Sequence, residues 1–218
     1  MAIRAVLFDW RGTLFYEITT VEWLEAGAAA IGRTYDSAEL RAMARRIEAT
    51  ADHPAFVAAL ATSDCSPELN RESSLLGLGL AGLDEDLALA VWQQDGEIGT
   101  SLPYADTEGA LSALKRRGAA IAVVSDIHYE LAPHFAAYGL ESYVDSYILS
   151  YQFGTQKPDE RLFQAALDAL GVRAEEALMV GDRPARDCGG VALGIKTMIL
   201  PPVANGSVRG LDAVLRLL

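Results

Sequence analysis

The chain has 218 residues, 51% of them hydrophobic and 22% charged. That is enough for a sizeable core, as one domain carrying a large insertion or a small second domain. The net charge of -12 argues against nucleic acid or an anionic membrane surface as partner, since both demand a basic footprint, but a small anionic substrate held by a local Lys or Arg is compatible with it. Cys65 and Cys188 lie far apart without metal-ligand spacing, so no disulfide framework is expected and a reducing, cytoplasmic setting is the default. No run of about 18 apolar residues suggests a membrane span.

The first element is a continuous apolar run over 3–8, broken only by Arg4, as expected of a parallel strand covered on both faces. It ends in Asp9, followed by Gly12 and Thr13. From 15 to 99 no strand is expected. Apolar residues recur there at helical spacing: Val21, Leu24, Ala28, Ile31, then Leu40, Met43, Ile47, then Phe56, Ala59, Leu60. Thr34, Ser37, Asp52 and Asp84 are suited to start helices, and His53-Pro54 fits a helix opening. The glycine-broken apolar run over 75–80 resists assignment.

After residue 100 the pattern alternates. Helices are predicted over 107–117, 131–138, 159–170 and 189–193, and strands over 120–124, 146–149, 177–180 and 196–200. A surface loop over 201–210 and a terminal helix over 211–218 close the chain. Strands alternating with helices imply an α/β fold with a parallel sheet covered on both faces. The expected division is a parallel-sheet core from 1–15 and 100–218 with a helical insertion over 16–99.

Four strand ends carry chemistry: Asp9, Ser125-Asp126, Lys157-Pro158, and Asp182 with Asp187. Ligands of such sheets bind outside the carboxyl ends of the strands. A carboxylate nucleophile, a hydroxyl, a lysine and two further carboxylates suit phosphoryl transfer. Mg²⁺ binds through one or two carboxylates plus substrate phosphate, with Asp182 and Asp187 beside Asp9. Ser125 and the backbone N–H groups near Trp10 and Arg11 could bind phosphoryl oxygens, and Lys157 would neutralise developing charge. Bland readings stand beside these. Thr13 also suits a turn cap, and Ser125, Asp126 and Asp187 suit helix caps. His53, His128 and His134 lack metal-ligand spacing; His128, just after the second motif, is the best placed of them. In the insertion, Trp23, Arg45, Arg46, His53 and Trp92 are candidate substrate contacts, with packing or solvation as the alternative.

The motifs Phe8-Asp9-Trp10-Arg11-Gly12-Thr13-Leu14, Val123-Val124-Ser125-Asp126, Lys157-Pro158-Asp159 and Gly181-Asp182-Arg183 through Asp187 stand in an order that resembles the haloacid dehalogenase superfamily of hydrolases. The resemblance implies a Rossmann-like core with a helical cap, between the first two motifs, that closes over the substrate and selects it. It makes Asp9 the nucleophile, with Trp10, Arg11, Gly12, Ser125, Asp126 and Lys157 around the substrate. Mg²⁺ would be bound by Asp9, the Arg11 carbonyl, Asp182 and Asp187, the last supporting either metal or lysine. Thr13 belongs to the same catalytic loop.

One departure matters. Family phosphatases usually place a second Asp two residues after the nucleophile as general acid/base, and Arg11 stands there. Arginine stays protonated and cannot shuttle a proton, a loss of about 10²–10⁴-fold in rate. Arg11 could weaken metal binding or pair with Asp9, and restoring Asp at position 11 is expected to raise phosphatase activity. The expected function is a Mg²⁺-dependent phosphatase acting on a small phosphorylated metabolite through an aspartyl-phosphate, as a monomer or homodimer. The alternatives are a dehalogenase-type hydrolase using the same Asp, or a phosphometabolite-binding protein impaired in turnover. A phosphonoacetaldehyde hydrolase is disfavoured, since that family needs a cap lysine and Lys115, Lys157 and Lys196 all lie outside the insertion.

Overall fold

The structure, a computed structural model, describes residues 2–218. Strand β1 (Ala5–Phe8) has every residue buried. It lies at the centre of a five-stranded parallel sheet with β4 (Ala120–Ser125), β5 (Ser146–Leu149), β6 (Ala177–Gly181) and β7 (Lys196–Ile199), in the order β5-β4-β1-β6-β7. The alternation of side chains along β1 divides the core in two. Val6 and Phe8 pack into a layer with Leu111 and Leu114 of α6 (Thr107–Arg116), Phe135 of α7 (Ala132–Ala137), and Leu211 and Val214. Leu7 points the other way, toward Leu162, Phe163 and Ala166 of α9 (Glu160–Leu170). Successive strand residues face opposite sides of a sheet, so a run apolar at every position is what two covered faces require. Two short helices complete the core, α8 (Ser150–Phe153) and α10 (Pro184–Asp187).

Between β1 and α6 lies a helical unit: α1 (Thr20–Ala30), α2 (Ser37–Glu48), α3 (Pro54–Leu60), α4 (Pro67–Leu80) and α5 (Glu85–Gln93). It has its own core, with Leu24, Ala28, Leu40, Leu87 and Val91 buried together. Asp84 caps α5 by accepting from the Leu87 N–H, as its residue type predicts. The start expected at Thr34 and Ser37 is instead capped by Asp36, in a capping box with Glu39. Thr19 and Glu22 form a second such box on α1. The run over 75–80 is the second half of α4. Its Gly77 is explained by packing, because a Cβ there would lie 2.6 Å from the Phe56 ring.

The expectation of no strand between 15 and 99 is corrected at its start. Strand β2 (Phe15–Glu17) pairs antiparallel with β3 (Ser101–Pro103), Phe15 opposite Pro103 and Glu17 opposite Ser101. This ribbon is the neck by which the helical unit leaves and rejoins the sheet. Three residues are too few to show a period of two, so the pairing is fixed by tertiary context. The predicted helix over 189–193 and the terminal one over 211–218 are 3₁₀ segments, Cys188–Leu193 and Leu211–Arg216.

Candidate active site

The register of the sheet gathers the motifs. Phe8 lies opposite Val123 on β4 and Val180 on β6, so Asp9, Ser125 and Asp182 emerge within one residue of a common level on adjacent strands. The sheet order reverses around β1, and this is the switch point where open α/β sheets form a crevice.

Asp9 is 6% exposed. Lys157 Nζ donates to Asp9 Oδ1 at 2.6 Å and to Asp187 Oδ1 at 2.7 Å. Burial pushes the Asp9 carboxyl up to about 7, the nearby Asp187 and Asp182 adding to the effect and Lys157 opposing it. Burial alone would lower the Lys157 ammonium, but Asp9 and Asp187 more than reverse this, so it stays charged. Asp187 is fully buried. Its second oxygen accepts from the backbone N–H groups of Asp182 at 3.1 Å and Arg183 at 2.8 Å. Both Asp187 oxygens are therefore engaged, in fixing the lysine and shaping the loop after β6.

Asp182 differs. Its Oδ1 is buried without a hydrogen-bond partner among the described residues, and burial followed by repulsion from Asp187 raises its pKa. Carboxylate oxygens of Asp9, Asp182 and Asp187 lie within 4.8 Å of one another. A buried, orphaned carboxylate oxygen is costly unless paired or metal-bound, and with both Asp187 oxygens engaged Asp9 and Asp182 remain as the hard oxygen donors a divalent cation such as Mg²⁺ takes. Gly12 makes room for this arrangement. Its φ is +81°, and a Cβ there would stand 2.3 Å from Asp182 Oδ2.

The remaining motif residues support these. Asp126 accepts from the Lys157 N–H at 2.7 Å. Arg186 donates to the Lys157 carbonyl at 2.8 Å. Ser125 is 3% exposed and borders the cavity above Asp9. Trp10 and Thr13 are fully buried and do not line that cavity. The Trp10 ring packs against Phe15, Tyr129 and His134, so the backbone is what position 10 can offer a ligand. The Trp10 carbonyl accepts from the N–H groups of Thr13, Leu14 and Phe15 and closes the turn.

Arg11 does not pair with Asp9. Its guanidinium turns to the neck, forming ion pairs with Glu17 at 3.0 Å and Asp95 at 2.7 Å. It also donates to the Ser101 hydroxyl at 3.0 Å and the Tyr129 hydroxyl at 2.6 Å. Burial holds Glu17 above its ordinary value despite the Arg11 charge.

A cavity of about 310 Å³ lies between sheet and helical unit. Its floor holds Asp9, Ser125, Lys157 and Asp182, and its roof Ser63, Asp64, Asn70, Ser73, Ser74 and Asp95. The sequence reading missed this roof, since isolated Ser, Asn and Asp residues on helices carry no motif. It also missed Arg209, which is 3% exposed and donates to the Gly12 carbonyl at 2.6 Å. Of the residues singled out in the insertion, Arg45 and His53 are exposed, and Arg46 donates to the Ala81 carbonyl. His128 Nδ1 stands 3.8 Å from both Asp64 and Asp95, joining the loop after β4 to the roof.

A parallel sheet with this order, a buried carboxylate–lysine–carboxylate cluster at its carboxyl end and a helical unit inserted after the first strand define a parallel α/β fold with a candidate catalytic cluster. The chain belongs to the haloacid dehalogenase-like hydrolases, whose family profile matches residues 3–192. It is 38% identical over 91 residues to a phosphoserine phosphatase of Thermus thermophilus, covering 41% of this chain and 36% of that one. Over 98 residues it is 35% identical to a phosphoglycolate phosphatase of Aquifex aeolicus, covering 44% and 46%. The matched stretch thus spans less than half the length of these relatives. In fold, it resembles a phosphatase of this superfamily from Thermococcus onnurineus, at 20% identity and TM-score 0.62 over 98% of this chain and 97% of that one. It likewise resembles the L-2-haloacid dehalogenase of Xanthobacter autotrophicus, at 22% identity and TM-score 0.67 over 93% and 79%. Among the described residues no helix is long and apolar enough to cross a membrane.

Proposed function

We propose that the protein is a Mg²⁺-dependent phosphatase that hydrolyses a small phosphorylated metabolite through an aspartyl-phosphate on Asp9. The observation that carries this reading is the pairing of a lysine-held carboxylate with a neighbouring carboxylate oxygen that has no hydrogen-bond partner among the described residues. The first suits a nucleophile and the second a metal ligand. Asp9 and Asp182 would hold the metal, with the Arg11 carbonyl beside them, and Asp187 would serve by fixing Lys157. Bound there, the metal supplies charge neutralisation between the attacking carboxylate and an anionic phosphoryl group.

The chain's own residues do the rest. Lys157 holds Asp9 Oδ1, which leaves Oδ2 to attack phosphorus. An O–P bond forms, and the ester P–O bond breaks with its electron pair on the leaving oxygen. Ser125 and the N–H groups of Trp10 and Arg11 would steady phosphoryl oxygens, and the Lys157 ammonium would balance the charge that develops. Water then attacks the acyl phosphate, releasing phosphate and restoring the Asp9 carboxylate. Arg11, engaged with Glu17 and Asp95, protonates nothing in this scheme, so the leaving group departs as an anion. Substrates with acidic leaving groups are favoured. The names of the curated relatives, phosphatases acting on phosphoserine and phosphoglycolate among them, support the same reaction class.

The test is phosphate release from acetyl phosphate and p-nitrophenyl phosphate, with and without Mg²⁺. Release is expected to require Mg²⁺ and to fall at least about 10³-fold in Asp9→Asn. Metal-free turnover of a 2-haloacid with no phosphate release would mark carbon–halogen hydrolysis instead.

A further inference from the structure

One buried cation takes no part in the reaction scheme. Arg209 is 3% exposed, and its guanidinium lies 5.6 Å from the centre of the Tyr104 ring. It forms no ion pair among the described residues; each of its three nitrogens donates to a backbone carbonyl instead. Nε donates to Gly12 at 2.6 Å, Nη2 to Leu200 at 3.3 Å and Nη1 to Pro201. Its own backbone is held by Asp106, whose carboxylate accepts from the N–H groups of Arg209 at 2.7 Å and of Gly210 and Leu211 at 2.8 Å. Taking an unpaired cation out of water is costly, so packing alone does not account for an arginine here.

What Arg209 holds is the backbone beside the candidate metal ligands. Gly12 has room for Asp182 because it lacks a Cβ, and for the same reason its own backbone is weakly restrained. A turn built on glycine needs restraint from outside. Phe15 gives it at one side, its carbonyl accepting from the Gly12 N–H at 2.7 Å. The peptide bond between Arg11 and Gly12 is trans, and the C=O and N–H of a trans peptide point opposite ways, so this bond turns the Arg11 carbonyl away from Phe15. Arg209 gives the other restraint, at the Gly12 carbonyl. The same guanidinium reaches the segment of the second ligand. Leu200, whose carbonyl it holds, donates its own N–H to the Gly181 carbonyl at 2.8 Å, one residue before Asp182. One planar fork thus joins the turn that carries the Arg11 carbonyl to the strand end that carries Asp182, and lysine has no such fork.

We propose that Arg209 is a positioning residue for the metal site: by clamping the Gly12 and Leu200 carbonyls it sets the Arg11 carbonyl against Asp182. This rests on the metal-dependent phosphatase reading and deepens it. Arg209 does not line the catalytic cavity, so its effect passes through the backbone. Replacing an outer partner of a metal ligand typically costs about 10–100-fold in affinity. Charge and position predict opposite signs here. The Arg209 charge is felt at Asp182 and repels a divalent cation. Removing the charge alone would tighten Mg²⁺ binding, whereas loosening the clamp weakens it.

The experiment measures Mg²⁺ binding by calorimetry and amide exchange over 10–15, in the full chain and in Arg209→Lys and Arg209→Gln. Lysine keeps the charge and loses the fork; glutamine loses both. Either folded variant is expected to bind Mg²⁺ at least tenfold more weakly and to exchange the Gly12 N–H at least tenfold faster. Tighter binding in Arg209→Gln with no change in Arg209→Lys would show an effect of charge alone and overturn the positioning role. Asp106→Asn loosens the same segment from its other side. It is expected to lower the thermal midpoint and to keep Mg²⁺ affinity within about twofold of wild type. A loss of affinity as large as in the Arg209 variants would make the arginine a general strut and also overturn the proposal. Wild-type protein that binds no Mg²⁺, with faster turn exchange in the variants, overturns the metal-dependent reading and leaves the clamp standing. Mg²⁺ binding by the wild type, with affinity and exchange unchanged in a folded variant, does the reverse.

Discussion

Arg11 occupies the position where an acid would complete the proposed reaction, but its charge serves the junction between sheet and helical unit. It forms ion pairs with both Glu17 and Asp95, and its side chain is 19% exposed. Removing Arg11 leaves the Asp95 carboxylate, only 12% exposed, uncompensated, at a cost of about 1–3 kcal/mol, while Glu17, 44% exposed, stays solvated. Arg11→Asp adds a third carboxylate to the other two. The gain in activity expected from the sequence is therefore reversed: the variant is expected to lose about 10 °C in thermal midpoint and to turn over more slowly. An unchanged midpoint with faster phosphate release would return Arg11 to the role of a simply replaced acid. Asp9 gives a second test. Its folded value, raised to about 7 from an ordinary 3.8, means that ionising it costs stability as pH rises through that window. A bound cation offsets this cost, and a proton competes with the cation. Mg²⁺ is expected to raise the thermal midpoint at pH 8, to do so much less at pH 5, and to lose its effect in Asp182→Asn. Equal shifts at both pH values would place the metal elsewhere.

At the scale of elements, the turn after β1 depends on Gly12, which combines a positive φ with contact against Asp182. Gly12→Ala strains the backbone and displaces that carboxylate. A displacement near 1 Å at a reacting centre costs about 10²-fold in rate, and phosphate release should fall by that much while the far-ultraviolet circular dichroism is preserved. Full activity would show that the turn has room the geometry denies it. What sequence could disclose follows the same divide between local and distant causes. The five sheet strands were legible because each contains a short apolar run set between helical stretches. Asp9 and Asp182 were legible because each closely follows such a run, and Lys157 because it opens the Lys157-Pro158-Asp159 motif beyond the third. Strand β2 was not, since Phe15–Glu17 pairs only because β3 returns beside it. Glu17, Asp95 and Tyr129 around Arg11, and Arg209 behind Gly12, were equally hidden. Each meets its partner across the fold, with nothing in the neighbouring sequence to mark the meeting.

For the whole molecule, helical unit and sheet are tied at two separate places. One is the Arg11 cluster at the neck. The other is the 60–64 segment, where Gln156 accepts from the Asp64 N–H at 2.7 Å and donates to the Leu60 carbonyl at 3.3 Å. At the same segment the Ser150 hydroxyl donates to the Asp64 carbonyl at 2.6 Å. The neck is covalent and the second tie is not, so opening the cavity means breaking the second. Gln156→Ala is expected to speed amide exchange over 60–65 at least tenfold with little change in the sheet strands. Uniform exchange across both units would show that this contact does not latch them.

The placement of β1 has a kinetic consequence. Ala5 pairs with Ala120 on one side and Ala177 on the other, so the central strand gains neither neighbour from nearby sequence. Closing loops of that length is slow compared with forming helices. The Asp9–Asp182 pair exists only after β6 has docked on β1. A cation that needs both carboxylates has nothing to grip in the earlier ensemble. It should leave the refolding rate almost untouched and act on the way out, by slowing unfolding.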